Sequence, residues 1–311
     1  MRYKRLGTSG LQVSVIGLGG NTFGRYVDAA GTARIIHRAI DLGINFFDTA
    51  DIYSLGVSEE HVGKALADRR DQGLICTKVG MKMGDRPMEA GLSRHHIIAG
   101  VEDCLKRLGT DYIDLLQVHA WDANTPLEES MQALNDLVRS GKVRYIGCSN
   151  FTAWQLTQSL WISDKRGYAS FVSVQPRYSL LDRAIETELV PACRTFGVGI
   201  VPYSPLAGGI LTGKYRGGAR PAGARGTDGG DAFFQRQLAG KDEASVERLA
   251  LWAEQHGRTI GELAVAWLAS QPEVSTVIAG VTSPEQVEDN VRAGEWELTA
   301  GEVAEVGGLV N

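Results

Sequence analysis

"GINFFDTADIYSLGVSEEHVGKAL", residues 43–66, is the stretch on which the fold turns. GINFF (43–47) is a short apolar run of the kind that forms a buried strand, and SEEHVGKALADRR (58–70) has the spacing of an amphipathic helix. Asp48 and Tyr53 therefore fall on the turn that joins strand to helix. The same unit recurs along the chain. Apolar or β-branched runs lie at VSVIGLGG (13–20), NFFD (45–48), LICTK (74–78), YIDLLQVH (112–119), VRYIGCS (143–149), FVSVQ (171–175), GIVPYS (199–204) and STVIAG (275–280). Helical patterns separate them near 31–42, 58–69, 95–108, 127–140, 152–164, 183–196 and 243–270.

Eight strands, each followed by helix, predict an α/β fold: a (β/α)₈ TIM barrel formed by residues 1–311 as a single domain. An open doubly wound sheet usually has fewer strands and a glycine fingerprint opening its first helix. GLGGNTFG (17–24) follows a strand but is not GxGxxG. YKRLGTSGLQVS (3–14) predicts a β-hairpin with a Thr-Ser-Gly turn that plugs the barrel floor. Residues 205–242, with GGARPAGARGTDGG (217–230), predict a long irregular loop after strand 7.

A net charge of −5 and a pI near 5.7 argue against nucleic acid or an anionic membrane as partner. No apolar run reaches the ~20 residues that span a bilayer. The opening MRYKRLGTSG lacks the apolar core of a secretory signal. Cys76, Cys104, Cys148 and Cys193 are scattered, with no CxxC pair and no metal-ligand spacing. The expected compartment is the reducing cytoplasm. The 38 glycines suit many tight strand–helix turns and close backbone approaches to a ligand.

Barrel enzymes carry their chemistry at the carboxyl ends of the strands. Those ends hold Asp48, Lys78, His119, then Ser149 and Asn150, Gln175, and finally Tyr203 and Ser204. A lysine closing LICTK needs a partner, because buried ammonium groups are costly. Asp48 on the neighbouring strand can supply it, and Tyr53 can present its hydroxyl to the same cation. A nearby ammonium is expected to lower the phenol pKa and let Tyr53 transfer a proton near neutral pH. His119 is placed to orient a carbonyl. The bland alternative makes Asp48 a helix cap, Lys78 a solvated rim residue, His119 a satisfied rim histidine and Tyr53 a packing aromatic. Ser58, with Glu59 and Glu60 in the first turn, is the expected cap of the following helix, leaving Asp48 and Tyr53 for chemistry.

The blocks GINFFDTADIYSLGVSEEHVGKAL, CTKVG, LQVHAWD, GKVRYIGCSNF and VPYSPLAGGILTGKY, in this order, resemble the signature segments of the aldo-keto reductases over essentially the whole chain. The resemblance implies a barrel that binds a nicotinamide cofactor without a Rossmann fold. It also implies an Asp48–Tyr53–Lys78–His119 tetrad in which Tyr53 is the general acid. By the same likeness Ser149, Asn150 and Gln175 would hydrogen-bond the carboxamide, and Tyr203 would stack on the nicotinamide. Ser204, Leu206, Gly208, Leu211 and Lys214 would cradle the pyrophosphate. Gly280, Thr282 and Ser283 would open a helix suited to a 2′-phosphate, with Gln286 and Asn290 on the adenine side. Gly20 and Thr22, after the first strand, join this cofactor set.

Many members of the family carry an arginine or lysine just after the glycine matched by Gly280; this chain has Val281, Thr282 and Ser283 there. Arg216, Arg220 and Arg225 of the long loop are alternative cations. NADPH is the expected cofactor, and NADH stays open. The YSPLAGGILTGKY block and the long loop resemble the bacterial, potassium-channel β-subunit-like branch, which implies a small aldehyde, ketone or sugar-like carbonyl as substrate. Phe23, Tyr26, Trp121 and Phe151, with Phe233 and Phe234, are candidate pocket aromatics beside Tyr53 and His119, and Asp122 and Arg177 could add polar selectivity. No metal site is expected. Two competing readings are a cofactor-binding, redox-sensing regulatory subunit with little turnover, and a barrel lyase or isomerase using Lys78 as a Schiff base.

Overall fold

The computed structural model describes residues 1–216 and 243–310. An antiparallel hairpin of β1 (Tyr3–Arg5) and β2 (Gln12–Ser14) precedes eight parallel strands. These are β3 (Ile16–Gly19), β4 (Phe46–Asp48), β5 (Leu74–Val79), β6 (Ile113–Val118), β7 (Val143–Ser149), β8 (Phe171–Gln175), β9 (Gly199–Ile200) and β10 (Val277–Gly280). Their order in the sheet is β10-β3-β4-β5-β6-β7-β8-β9. The two edges also meet: Ile200 N donates to Glu273 O at 2.8 Å, Ser275 N to Ile200 O at 2.9 Å, and Ile278 N to Pro202 O at 2.9 Å. With that seam the sheet curls into the expected (β/α)₈ barrel.

Helices on the outside connect the strands: α1 (Ala29–Asp41), α2 (Val57–Leu66), α3 (Arg94–Leu108), α4 (Leu127–Arg139), α5 (Ala153–Arg166) and α6 (Leu189–Phe196). Beyond the long loop come α7 (Glu243–Gln255), α8 (Ile260–Ala269), α9 (Pro284–Glu295) and α10 (Ala300–Gly308). Among the described residues, no helix is long and apolar enough to cross a membrane.

Alternation along the strands sorts the side chains. Phe47, Ile75 and Leu116 join the outer core beneath the helices, whereas Phe46, Cys76 and Leu115 join an inner cluster. Continuing that period places Asp48, Lys78 and Gln117 inside the barrel, one step nearer its carboxyl-terminal mouth. The inner cluster also takes Leu6 and Val13 from the hairpin, which therefore plugs the floor as the sequence predicts. Gly7 makes this possible. Its φ is +57°, and a Cβ there would lie 2.5 Å from Gly197 O.

Three elements differ from the sequence reading. The helix expected over 243–270 is two, because Gly257 turns left-handed (φ +67°) and Thr259 with Glu262 forms a capping box that starts α8 afresh. The pattern at 183–196 becomes a 3₁₀ turn at Ala184–Glu186 followed by the short α6, with Pro191 in its first turn. Strand β9 stops at Ile200 because Pro202 lacks the N–H a ladder needs. The terminal helix α10 has no counterpart in that reading.

Candidate active site

At the barrel mouth the register of β4 on β5 pairs Asp48 with Cys76, so Lys78 stands one inward step beyond. Lys78 Nζ donates to Asp48 Oδ2 at 2.7 Å and Oδ1 at 2.8 Å, and to Thr49 O at 2.8 Å. Tyr53 Oη is 3.5 Å from the same nitrogen. The ring of Tyr53 meets His119 edge-on, with centroids 5.8 Å apart. Gln175, assigned from sequence to the carboxamide alone, donates its Nε2 to Asp48 Oδ1 at 2.8 Å. The four expected residues thus converge, and Gln175 braces the carboxylate from the opposite side of the barrel.

The turn that aims Tyr53 is unusual backbone. Ser54 (φ 50°) and Leu55 (φ 51°) are left-handed without being glycine, and Gly56 (φ 92°) follows. Ser54 Oγ donates to Phe23 O at 2.9 Å, pinning this turn to the loop after β3. Ser58 is not the helix cap expected of it: α2 starts behind Gly56 with no side-chain cap. Instead Ser58 is fully buried, donates to Gly20 O at 2.8 Å and meets Thr49 Oγ1 at 2.8 Å. Glu59 likewise faces inward rather than towards solvent, accepting from Thr77 Oγ1 and from Arg107 Nε at 2.6 Å. Burial made both residues cross-links between elements.

Electrostatics qualifies the expectation for Tyr53. Burial raises its phenol above the ordinary range, and the Lys78 ammonium pulls it back only in part. The pull of Lys78 therefore does not bring the resting pKa below the ordinary value. The hydroxyl is held in its protonated form at neutral pH. Burial also works against the Lys78 charge, but Asp48 more than offsets it and holds the ammonium above its usual range. His119 is pushed down to about 3 by burial and by Lys78, so its imidazole is neutral. Its Nδ1 is buried with no hydrogen-bond partner.

The residues expected to hold a dinucleotide surround this centre on one side. Ser149 Oγ donates to Gln175 O at 2.9 Å, and Asn150, left-handed at φ 58°, donates to His119 O at 3.0 Å. Tyr203 Oη donates to Asn150 Oδ1 at 2.9 Å, so ring and amide are already joined. Ser204 (φ 57°), Ala207 (φ 49°), Gly208 (φ 70°) and Gly209 (φ 106°) bend the following loop into a concave backbone, with Leu206 and Leu211 in it and Lys214 close behind. Such concavities suit a diphosphate. Gly280 ends β10, and Ser283 stands at the amino terminus of α9 without capping it through its side chain. Pro284 opens α9 without an N–H, and the Glu285 carboxylate accepts from its own backbone N–H and from the Ser283 hydroxyl, so this helix start is already partly satisfied within the chain.

Within this set, Thr22 and Gln286 are engaged internally: Thr22 Oγ1 donates to Val281 O at 2.7 Å, and Gln286 Oε1 accepts from Thr282 N at 2.8 Å. Asn290 lies one turn further along α9. Gly20 has room for no side chain, since a Cβ would sit 2.9 Å from Asp48 O. Arg216 is spent on Glu247 and Glu254, at 2.7 and 2.6 Å, which weakens it as the missing phosphate cation. Arg220 and Arg225 lie outside the described residues, as do Phe233 and Phe234.

The candidate pocket aromatics separate. Phe23 and Phe151 are 1 % and 3 % exposed and pack in the outer core, so their rings serve folding rather than a surface. Tyr26 is 59 % exposed under the Arg25 guanidinium. Trp121 lines a cavity of about 570 Å³, shared with Asp122, Met81, Lys82 and Met88. Asp122 is committed to its own loop, accepting from Leu92 N at 2.8 Å, Asn124 N at 2.9 Å and Thr125 Oγ1 at 2.7 Å, and Arg177 is paired with Asp182 at 2.9 Å. Asp122 nonetheless lines the same cavity as Trp121, whereas the Arg177 guanidinium is engaged by Asp182.

Known proteins bear on this geometry. The chain is 38 % identical over 299 residues to a probable voltage-gated potassium channel subunit beta of Arabidopsis thaliana, covering 94 % of this chain and 91 % of that one. It is 38 % identical over 310 residues to the uncharacterized oxidoreductase YrpG of Bacillus subtilis, covering 96 % and 92 %. It is 35 % identical over 335 residues to versiconal hemiacetal acetate reductase of Aspergillus parasiticus, covering 97 % and 95 %. The model of the aldo/keto reductase family matches residues 15–311. On that match and those relatives, the chain belongs to the aldo/keto reductase family.

Proposed function

We propose that this protein is an NADPH-dependent oxidoreductase that reduces an aldehyde, ketone or sugar-like carbonyl to the alcohol, reversibly. The observation that carries the reading is the convergence of Tyr53, Lys78, Asp48 and His119 at the barrel mouth. A bound nicotinamide supplies the hydride. Tyr53 Oη gives its proton to the carbonyl oxygen, and the Lys78 ammonium stabilises the phenolate left behind. Asp48 and Gln175 hold Lys78 charged and in place. The neutral His119 orients the carbonyl. Ser149, Asn150, Gln175 and Tyr203 would hold the nicotinamide end, the loop 204–214 the diphosphate, and the start of α9 a 2′-phosphate.

Lys78 as a Schiff-base nucleophile is disfavoured, because an amine bound to Asp48 through both oxygens is a protonated one. Similarity to a channel subunit beta favours a second reading: a cofactor-binding regulatory subunit with little turnover. Fluorescence titration with NADPH and NADH, followed by a panel of carbonyls with the tighter cofactor, separates the two. Turnover of an aldehyde supports the reductase. Tight NADPH binding with no carbonyl reduced across the panel supports the regulatory subunit, and binding of neither nucleotide overturns both. The reading carries a cytoplasmic protein whose partner is a small carbonyl compound, with no nucleic acid or membrane partner and one domain throughout.

A further inference from the structure

A second cavity, of about 520 Å³, lies between α3 and the loop that leads into it, and its lining includes the polar Asp51, His96 and Arg107 and the apolar Met83, Pro87 and Met88. We propose that it is a binding site for a small organic cation with an apolar body, an amidine or a primary amine.

Two buried polar atoms belonging to its lining have no partner. Asp51 is 1 % exposed; its Oδ1 accepts from Ile52 N at 2.6 Å, while Oδ2 is bonded to nothing. His96 is 5 % exposed, and its Nε2 is likewise bonded to nothing. Buried polar groups are paired in the great majority of cases, so two orphans around one cavity point to a missing partner.

The charges select its chemistry. Arg107 is held by Glu59 at 2.6 Å, Arg86 by Glu89 at 2.8 Å, and Asp103 by Lys106 at 2.9 Å. With Glu59 consumed by Arg107, Asp51 is left as the acid of the lining with no cation bonded to it, which disfavours an anion. A cation bearing two N–H groups can satisfy a carboxylate and an imidazole nitrogen together, since both accept. Among the described residues, no group of three or more His, Cys, Asp and Glu side chains is placed to hold a metal ion. Two methionines and a proline instead suit an apolar body, and the volume matches a small ligand. Asp51 N donates to Lys78 O at 3.1 Å, so the site backs directly onto the strand that carries Lys78.

The probe is benzamidine, titrated into the full chain without cofactor and followed by ligand-observed NMR and calorimetry on the alkaline side of neutrality. The expected result is saturable one-to-one binding that NADPH does not compete away. Asp51→Asn should weaken it about tenfold or more, the loss of a charge-assisted hydrogen bond. Ala99→Leu, which fills the cavity from the exposed face of α3, should weaken it comparably and decides the matter should Asp51→Asn not fold. Benzoate, of the same shape and opposite charge, should not bind. Benzamidine binding that fails to saturate, that survives both substitutions, or that benzoate reproduces would leave a cavity holding water alone and overturn the proposal. None of these readouts depends on turnover, so the reductase reading stands or falls separately.

Discussion

Lys78 Nζ lies 2.7 Å from Asp48 Oδ2 with the lysine side chain wholly out of water and the aspartate at 2 % exposure. Such a pair gains little net stability over an apolar replacement, because desolvating both ions offsets their attraction. Its retention makes sense as chemistry: a fixed cation beside Tyr53. Breaking it is another matter. Lys78→Met would leave the Asp48 carboxylate buried without its cation, and we expect a loss of about 3–5 kcal/mol in urea unfolding. An unchanged midpoint would mean that the pair is solvated or already neutral.

Tyr53→Phe removes the proton donor and keeps the ring against His119. Carbonyl reduction should fall by roughly 10²–10⁴-fold, the usual contribution of a general acid, while NADPH affinity stays nearly unchanged. Steady-state rates with a fluorescence titration decide it. Full turnover in this variant would remove Tyr53 from the mechanism.

Asp51 should leave a mark on the pH dependence of stability. Burial, with Glu59 nearby, pushes its carboxyl up to about 7, against the partial relief of Ile52 N–H, Arg107 and Lys78. The folded state therefore keeps this proton long after the unfolded chain has lost it. Stability from this group is greatest below the ordinary carboxylate range, falls as pH rises from 3.8 to about 7, and is flat above. Asp51→Asn should flatten that decline and gain on the order of 3 kcal/mol on the alkaline side relative to the parent. Denaturant melts of the two proteins across the window test it; parallel curves would show that Asp51 ionises normally.

The floor of the barrel offers a sharper structural test. Gly7→Ala would place a methyl 2.5 Å from Gly197 O and 2.7 Å from Val172 O, on a left-handed backbone. We expect about 2–4 kcal/mol of destabilisation, from strain and overpacking together. Gly10→Ala, three residues along the same turn with nothing within 4 Å of the new Cβ, is the control and should melt near the parent. Equal melting of both variants would show that the hairpin is not seated on β8 and β9 as described.

Much of the architecture was legible because strands buried on both faces read as continuous apolar runs. Strands β7 and β8 match their predicted spans residue for residue. Strand β9 was overextended because periodicity does not register the donor that Pro202 lacks. The break between α7 and α8 rests on the left-handed Gly257 and on the Thr259–Glu262 capping box, a local signal that the long helical pattern over 243–270 masked.

The candidate site divides in the same way. That Asp48, Lys78, His119 and Tyr53 lie at the ends of neighbouring strands or just beyond follows from the sequence, since strand ends are local features. Their partners do not. Gln175 reaches Asp48 across 127 residues of chain, Ser58 ties down Gly20 across 38, and Arg216 is consumed by Glu254 across 38. The sequence by itself determined the barrel, the order of its elements and the residues available at its mouth, because hydrophobic periodicity records burial one element at a time. Only the tertiary structure decided that Gln175 braces Asp48, that Arg216 goes to Glu247 and Glu254, which way the Tyr53 phenol was pushed, and that Asp51 kept an oxygen without a partner. Those outcomes depend on desolvation and on distances between residues far apart in the chain, and neither leaves a local trace.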